Sequence, residues 1–138
     1  MTVMAFAIKT HAQWKAYMSY YEPKEIEQTN DGMLYVLASG GLFSYDTQDQ
    51  EVRTYDKTTV LSDCDISHIA WCKAAKRLVI AYNDYNLDLL SQNGDVVNMP
   101  AYMNTSMTVD KSINSVDIHG NDAYISTNFG IVRLNVAN

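Results

Sequence analysis

Short apolar runs separated by glycine and asparagine turns recur along this chain of 138 residues. Residues 33–45 combine an apolar run, Met-Leu-Tyr-Val-Leu-Ala, with the turn Ser-Gly-Gly and a second apolar run. Apolar runs of this length bounded by turn residues are typical of buried β-strands. Residues 77–90 and 122–134 repeat the phrase in degraded form. The pattern therefore predicts the same strand-turn-strand unit three times.

The spacing of the three copies predicts the architecture. Leu34, Leu78 and Ala123 lie 44 and 45 residues apart, and the turn position holds Gly41, Asn86 and Gly130. Glycine and asparagine tolerate a left-handed backbone best, so the repeat indicates a conserved turn geometry at this position. Four short strands in about 45 residues are typical of one β-propeller blade. The sequence thus predicts an all-β fold of four-stranded antiparallel blades.

The number of strands predicts about three blades, with repeat units near 13–56, 57–100 and 101–138. A lone outer strand is expected at 14–18, followed by two full blades and three strands of a third. Propellers typically close with four to eight blades. We therefore expect a partial propeller, which is a truncated product, a fragment or an assembly that shares blades between chains. Its open blade edges would favour self-association.

Residues 1–12 are interpreted as a truncated signal peptide, because an apolar run precedes small residues suited to cleavage after Ala12. The missing basic start and Lys9 depart from that pattern. A loosely packed N-terminus is the alternative. Export would place Cys64 and Cys72 in an oxidising compartment. One extended strand between them would separate them too far for a disulfide, so buried free thiols are expected.

The charge balance limits the partner classes. The net charge is −6 and the pI is about 4.8. An acidic chain without clustered cations argues against nucleic acid, because phosphate binding requires Lys and Arg side chains. No apolar run reaches the length of about 20 residues that a membrane helix needs.

Candidate chemical groups are few, and a structural role is the leading interpretation of each. Residues 84–88 resemble the start of an EF-hand loop, but Leu89 and Asp95 replace the required glycine and glutamate. The remaining acidic candidates, interpreted as solvated loops, are Asp63 with Asp65 and Asp46 with Asp49 and Glu51. His11, His68 and His119 have no nucleophile at a catalytic spacing. The sequence predicts no catalytic, cofactor-binding or metal-binding residue.

One long connector, residues 100–111, is the most suggestive binding segment. Met99, Met103 and Met107 lie in or beside it with Tyr102. Methionines form adaptable contact surfaces, and long loops often carry binding. The alternative is a loop that folds over a blade edge. Trp14 and Trp71 could stack on sugar but are more typical of packing. The sequence assigns no ligand-binding residue.

Two families resemble the chain. Residues 36–45 and 60–66 resemble the propeller repeat of two-component regulators, although the connector lacks its leading glycine and the strand lacks the usual tryptophan. A closer resemblance is to the N-terminal propeller of PorZ-like proteins of the Bacteroidetes. It depends on residues 13–15, 35–45, 54–57 and 61–79, including the segments Ile-Ala-Trp-Cys and Ala-Ala-Lys-Arg-Leu-Val.

The PorZ-like resemblance implies a non-enzymatic, exported component of type IX secretion, in the periplasm or at the outer-membrane surface. It implies protein partners such as a PorU-like sortase, and a part in anionic lipopolysaccharide delivery to cargo and in cell-surface anchoring. The alternative is an extracellular sensor propeller of a hybrid two-component regulator that binds a glycan. A propeller enzyme is a third hypothesis, for which these blades supply no converging acidic or histidine residues.

Overall fold

A computed structural model describes residues 21–39 and 41–138. The predicted signal at 1–12, the predicted strand at 14–18, and Gly40 of the first turn lie outside the described residues. Within the described residues no helix is both long and apolar enough to cross a membrane.

The described strands form three antiparallel sheets in chain order. The first sheet contains β1 (Pro23–Gln28), β2 (Met33–Ala38), β3 (Gly41–Asp46) and β4 (Val52–Tyr55). The second contains β5 (Ile66–Cys72), β6 (Arg77–Tyr82), β7 (Leu87–Ser91) and β8 (Val96–Asn98). The third contains β9 (Ile113–His119), β10 (Asp122–Thr127) and β11 (Gly130–Asn135). This arrangement confirms the predicted partial propeller of four-stranded blades with three strands in the last.

Apolar side chains from facing sheets form the core. The first interface, between the first and second sheets, is built from Tyr35, Leu37 and Leu42 against Ile69 and Leu78, among others. Val79, Ala81 and Leu89 on the opposite face of the second sheet pack towards the third. The second sheet is therefore buried on both faces, which explains its nearly continuous apolar strands. Each fully buried leucine contributes about 1.5–3 kcal/mol to folding.

The first strands of the three sheets, β1, β5 and β9, lie next to one another. Each pairs within its own sheet on one edge only, so its other edge has no strand partner in that sheet. This seam of inner strands positions the polar contacts between blades.

Two details differ from the expected turns and loops. Residues 100–111 contain a one-turn helix, α1 (Ala101–Asn104). In the second copy the positive φ falls on Tyr85, at 72°, rather than on Asn86. Asn86 instead uses its side chain, whose Oδ1 accepts hydrogen bonds from Leu87 N at 3.0 Å and Asn98 Nδ2 at 2.9 Å. Gly130 has the expected positive φ, at 154°.

Candidate interaction surfaces

Carboxylates close the seam between β1 and β5. Glu25 accepts hydrogen bonds from Ile69 N at 2.8 Å through Oε2, and its Oε1 lies 2.8 Å from His68 Nδ1. Glu27 Oε2 accepts from Trp71 N at 3.0 Å. The two side chains thus satisfy backbone N–H groups that the open edge of β5 would otherwise leave unpaired.

The repeat places polar residues at most of the same positions of the later inner strands. Glu25 pairs with Leu37, His68 with Ala81, and Ser115 with Ser126, which are equivalent positions of the three sheets. By the same register Glu27, Ala70 and Asp117 are equivalent. Ser115 donates a hydrogen bond to Asp117 Oδ2 at 3.1 Å. The third inner strand therefore carries a carboxylate where β1 carries Glu27.

The pKa of Glu27 is raised above its usual value. Burial is the main cause because it disfavours the charged form, and the nearby Glu25 carboxylate adds to it. The hydrogen bond from Trp71 N acts in the opposite direction. Packing at the seam between the first two sheets therefore favours the protonated form of Glu27.

Asp88, the last residue of the EF-hand-like stretch, is fully buried in β7. Its Oδ2 accepts from Tyr82 OH at 2.6 Å and from Ser62 N at 2.8 Å, and its Oδ1 accepts from Asn98 Nδ2 at 2.8 Å. These bonds join β6, β7, β8 and the preceding connector. Asp88 is thus a structural acceptor, and no group of three or more His, Cys, Asp or Glu side chains in the described part of the chain could hold a metal ion.

Asp63 and Asp65, the two aspartates of the connector before β5, do not form a carboxylate pair with each other. Asp63 instead hydrogen-bonds Asp84 of the next hairpin. Burial, followed by the bond to Asp63, raises the pKa of Asp84, whereas the bond to Asp84 lowers that of Asp63. Asp84 therefore keeps its proton to higher pH than Asp63 does, and its protonated carboxyl group donates the hydrogen bond to Asp63. Sequence spacing could not reveal this pair, because its members lie in different loops.

The cysteines are both free, as expected, but the expectation that both are buried is wrong. Cys72 is buried, whereas Cys64 is exposed beside Asp63 and Asp65 in the connector. The connector is irregular before β5 and presents the Cys64 side chain to solvent. His119, at the end of β9, packs edge-on against the Tyr124 ring with the centroids 5.7 Å apart.

Lys111 organises the methionine-containing connector. Its buried Nζ donates to the carbonyl oxygens of Tyr102, Met103 and Thr105 at 2.7, 2.9 and 2.9 Å. The ammonium also lies 4.9 Å from the centroid of the Tyr102 ring, a favourable cation–π arrangement. Tyr102 OH in turn donates to Lys111 O at 2.6 Å. Lys111 has no signal in the sequence, because a lone lysine in a polar loop forms no pattern.

Met99 and Tyr102, two of the predicted contact residues, line a cavity of about 260 Å³. Leu87, Val132 and Leu134 form much of the remaining wall. Met103 is partly buried and Met107 is exposed, and neither of them lines this cavity. The predicted methionine patch is therefore split between a pocket wall and the surface.

The third sheet has an open face. Its paired positions Ser126–Ile131 and Tyr124–Arg133 lie on the side opposite to the buried Ile125. Ile131 is 74% exposed, although its equivalents Leu42 and Leu87 are 0% and 2% exposed. The comparison indicates a blade-packing face that no described residue covers. We define the open face as Tyr124, Ser126, Ile131 and Arg133.

Successive antiparallel sheets, two of four strands and one of three, stack through apolar faces and align along their first strands, which defines the chain as part of a β-propeller. The family model of the type IX secretion PorZ N-terminal β-propeller domain matches residues 34–138. The chain belongs to this PorZ N-terminal β-propeller family, which confirms the resemblance read from the sequence.

Solved structures agree with this assignment. A PorZ structure from Porphyromonas gingivalis, described as an essential bacterial surface component of the type IX secretion system, is 33% identical, with a TM-score of 0.80. The match covers 86% of this chain and 16% of that PorZ, so the chain spans about a sixth of that protein's length. No curated protein matches the chain significantly.

Two distant structures share the fold alone. Virginiamycin B lyase from Staphylococcus aureus is 11% identical with a TM-score of 0.57, over 89% of this chain and 44% of the lyase. A chain of the mitotic checkpoint complex has the same identity and TM-score, over 99% of this chain and 45% of its own length. At these identities the likeness extends to propeller architecture only.

Proposed function

We propose that this chain is a non-enzymatic scaffold segment of a PorZ-like type IX secretion component that acts at the bacterial surface. The observation that carries the proposal is the 33% identity to PorZ over 86% of the chain. In this role the propeller supports cell-surface anchoring and the delivery of anionic lipopolysaccharide to cargo, beside a PorU-like sortase. Its location is the periplasm or the outer-membrane surface.

The roles of the described polar groups support a scaffold. Asp88 holds strands together, Lys111 holds a connector, and Glu25 and Glu27 join two blades. Each of these groups binds backbone or neighbouring side chains, as expected of groups that maintain architecture. The family match favours this function over the sensor propeller of a two-component regulator.

Self-association is a further part of the proposal. The open face presents Ile131 to solvent at a position that is buried in both earlier blades. A second copy could cover it with an apolar blade face, because such faces already pair within this chain.

A deletion experiment in the native bacterium tests the proposed role. Removal of the gene should reduce the amount of type IX cargo attached at the cell surface, and the full-length gene should restore it. Unchanged cargo attachment, together with the loss of a transcriptional response to a glycan, would instead support the sensor.

A further inference from the structure

The third sheet has three described strands, whereas the other two sheets have four. In the first sheet β4 pairs with β3, and in the second β8 pairs with β7. β11 holds the equivalent place in the third sheet but pairs with β10 alone. No described strand bonds to its outer edge. An unpaired strand edge is a ready template for another strand.

An apolar cavity of about 260 Å³ lies beside this edge. Val132 and Leu134 of β11 line it on the side of the third blade. The side of the second blade and its connector is lined by Leu87, Met99 and Tyr102. Apolar cavities of about 150 Å³ already accept a benzene-sized group, so this cavity has room for a large side chain.

The second blade shows what packs at this place. There Leu90 pairs with Val96 of β8, and Val96 packs against the first interface. Leu134 is equivalent to Leu90, because their partners Ala123 and Leu78 hold the same repeat position. Leu90 is fully buried, whereas Leu134 is only partly buried. The cavity therefore lies where the apolar side chains of a fourth strand would pack.

One further segment of the chain has the pattern of an outer strand. Residues 13–18, Gln-Trp-Lys-Ala-Tyr-Met, alternate so that Trp14, Ala16 and Met18 would share one side of an extended strand. The segment is long enough for the place, because β4 and β8 have only four and three residues. Its apolar side matches the apolar wall of the cavity.

Covalent reach decides between one molecule and two. Residues 19–22 link Met18 to Pro23 at the start of β1, and the steps across them span at most about 18 Å. β11 lies two sheets further on, and stacked sheets are about 10 Å apart. It is also two strands out from the inner strand, a further offset of about 10 Å. Because the combined offset exceeds the reach of the linker, the segment can pair with β11 only from another molecule.

We propose that residues 14–18 of one copy add to the outer edge of β11 in a second copy and form the fourth strand of its third blade. The added strand runs antiparallel to β11, and its apolar side faces the cavity between Val132, Leu134 and Met99. This surface is separate from the open face around Ile131. The proposal therefore does not rest on the secretion role.

Peptide binding tests the added strand directly. The receptor is the full chain with Ala16→Asp, which disables its own segment at the centre of the apolar side. A fluorescein-labelled peptide of residues 13–19 is titrated with this chain and followed by fluorescence polarisation. We expect saturable binding. An Ala16→Asp peptide should bind at least tenfold more weakly, whereas a Lys15→Asp peptide should bind as the wild-type peptide does, because Lys15 lies on the other side of the strand.

The cavity provides the second arm. Ala101→Trp, at the exposed start of α1, places an indole in the cavity and should weaken peptide binding at least tenfold. Asn104→Trp, exposed on the same helix but not lining the cavity, is the matched control. Ile131→Lys should also leave peptide binding unchanged. Circular dichroism reports whether each chain is folded, and the wild-type chain is the receptor if Ala16→Asp does not fold.

Three results would overturn the proposal. They are a folded receptor that does not bind the peptide, an Ala16→Asp peptide that binds as tightly as the wild-type peptide, and a folded Ala101→Trp chain that binds as its control does. Loss of binding in Ile131→Lys would assign the peptide to the open face and would overturn it as well. None of these measurements involves a secretion partner, so the secretion role stands or falls separately.

Discussion

Asp88 shows how a single buried charge can serve architecture. Its two oxygens accept three hydrogen bonds, from Ser62 N, Tyr82 OH and Asn98 Nδ2. Burial of a carboxylate without such partners would be strongly unfavourable. These three hydrogen bonds therefore explain why the polar Asp88 interrupts the otherwise apolar strand β7.

Replacement of Asp88 should destabilise the fold. Asp88→Asn keeps the shape but turns one acceptor into a donor that faces other donors. We expect the free energy of unfolding to fall by about 1–3 kcal/mol, the penalty of buried unsatisfied groups. Urea unfolding followed by circular dichroism measures the change. Asp49→Asn, at an exposed position, is the control; equal stability of the two variants would contradict the structural role.

Glu27 gives a prediction that depends on pH. Because its pKa is raised in the folded chain, folding favours the protonated form. The ionised group therefore lowers stability at neutral pH, and this penalty disappears as pH falls through its folded pKa. Glu27→Gln keeps an acceptor for Trp71 N without the charge. The variant should be more stable than the wild type at pH 7.

Thermal unfolding at several pH values measures this difference. The stability difference between Glu27→Gln and the wild type should shrink as the pH falls and approach zero near pH 4, below the usual glutamate pKa of about 4.3. Glu51→Gln, on an exposed side chain, should show no comparable gain at pH 7. A Glu27→Gln variant that is less stable than the wild type at neutral pH would contradict the interpretation.

At the scale of elements, the connector between the second and third blades depends on Lys111. Lys111→Met should leave three carbonyl oxygens without their donor and loosen residues 100–111. We expect a loss of about 2–3 kcal/mol in stability, in the range for bonds to a charged group. Limited proteolysis should cut this connector faster. The exposed Lys24→Met serves as control, and an unchanged cleavage rate in Lys111→Met would contradict the proposed role.

The strands were predictable from sequence, whereas the contacts between them mostly were not. Apolar runs and turn residues predict β2, β3, β6 and β7, because strands that contribute to a buried core require those side chains. α1 escaped prediction, because it depends on a lysine that reaches back over a loop without periodicity. The spacing between Glu25 and His68, 43 residues, is close to the repeat length. The repeat itself could therefore have indicated that these inner-strand residues are neighbours.

At the scale of the whole molecule, the open face predicts self-association. Ile131→Lys places a charge at its centre, where a second copy would bury an isoleucine. Burial of that side chain contributes about 1.5–3 kcal/mol, so the dissociation constant should rise at least tenfold. Sedimentation equilibrium of the full chain measures it. Val97→Lys, at an exposed apolar residue of β8, is the matched control.

A wild-type chain that stays monomeric at high micromolar concentration would contradict self-association. An equal effect of Val97→Lys would show that added charge, rather than the open face, is responsible.

The proposed secretion role is tested most directly by affinity purification of the tagged full-length protein from its native cells, followed by mass spectrometry. The account predicts that type IX secretion components, including a PorU-like sortase, are recovered above the level of an untagged strain. Recovery of no secretion component, under conditions that preserve a known type IX complex, would contradict it.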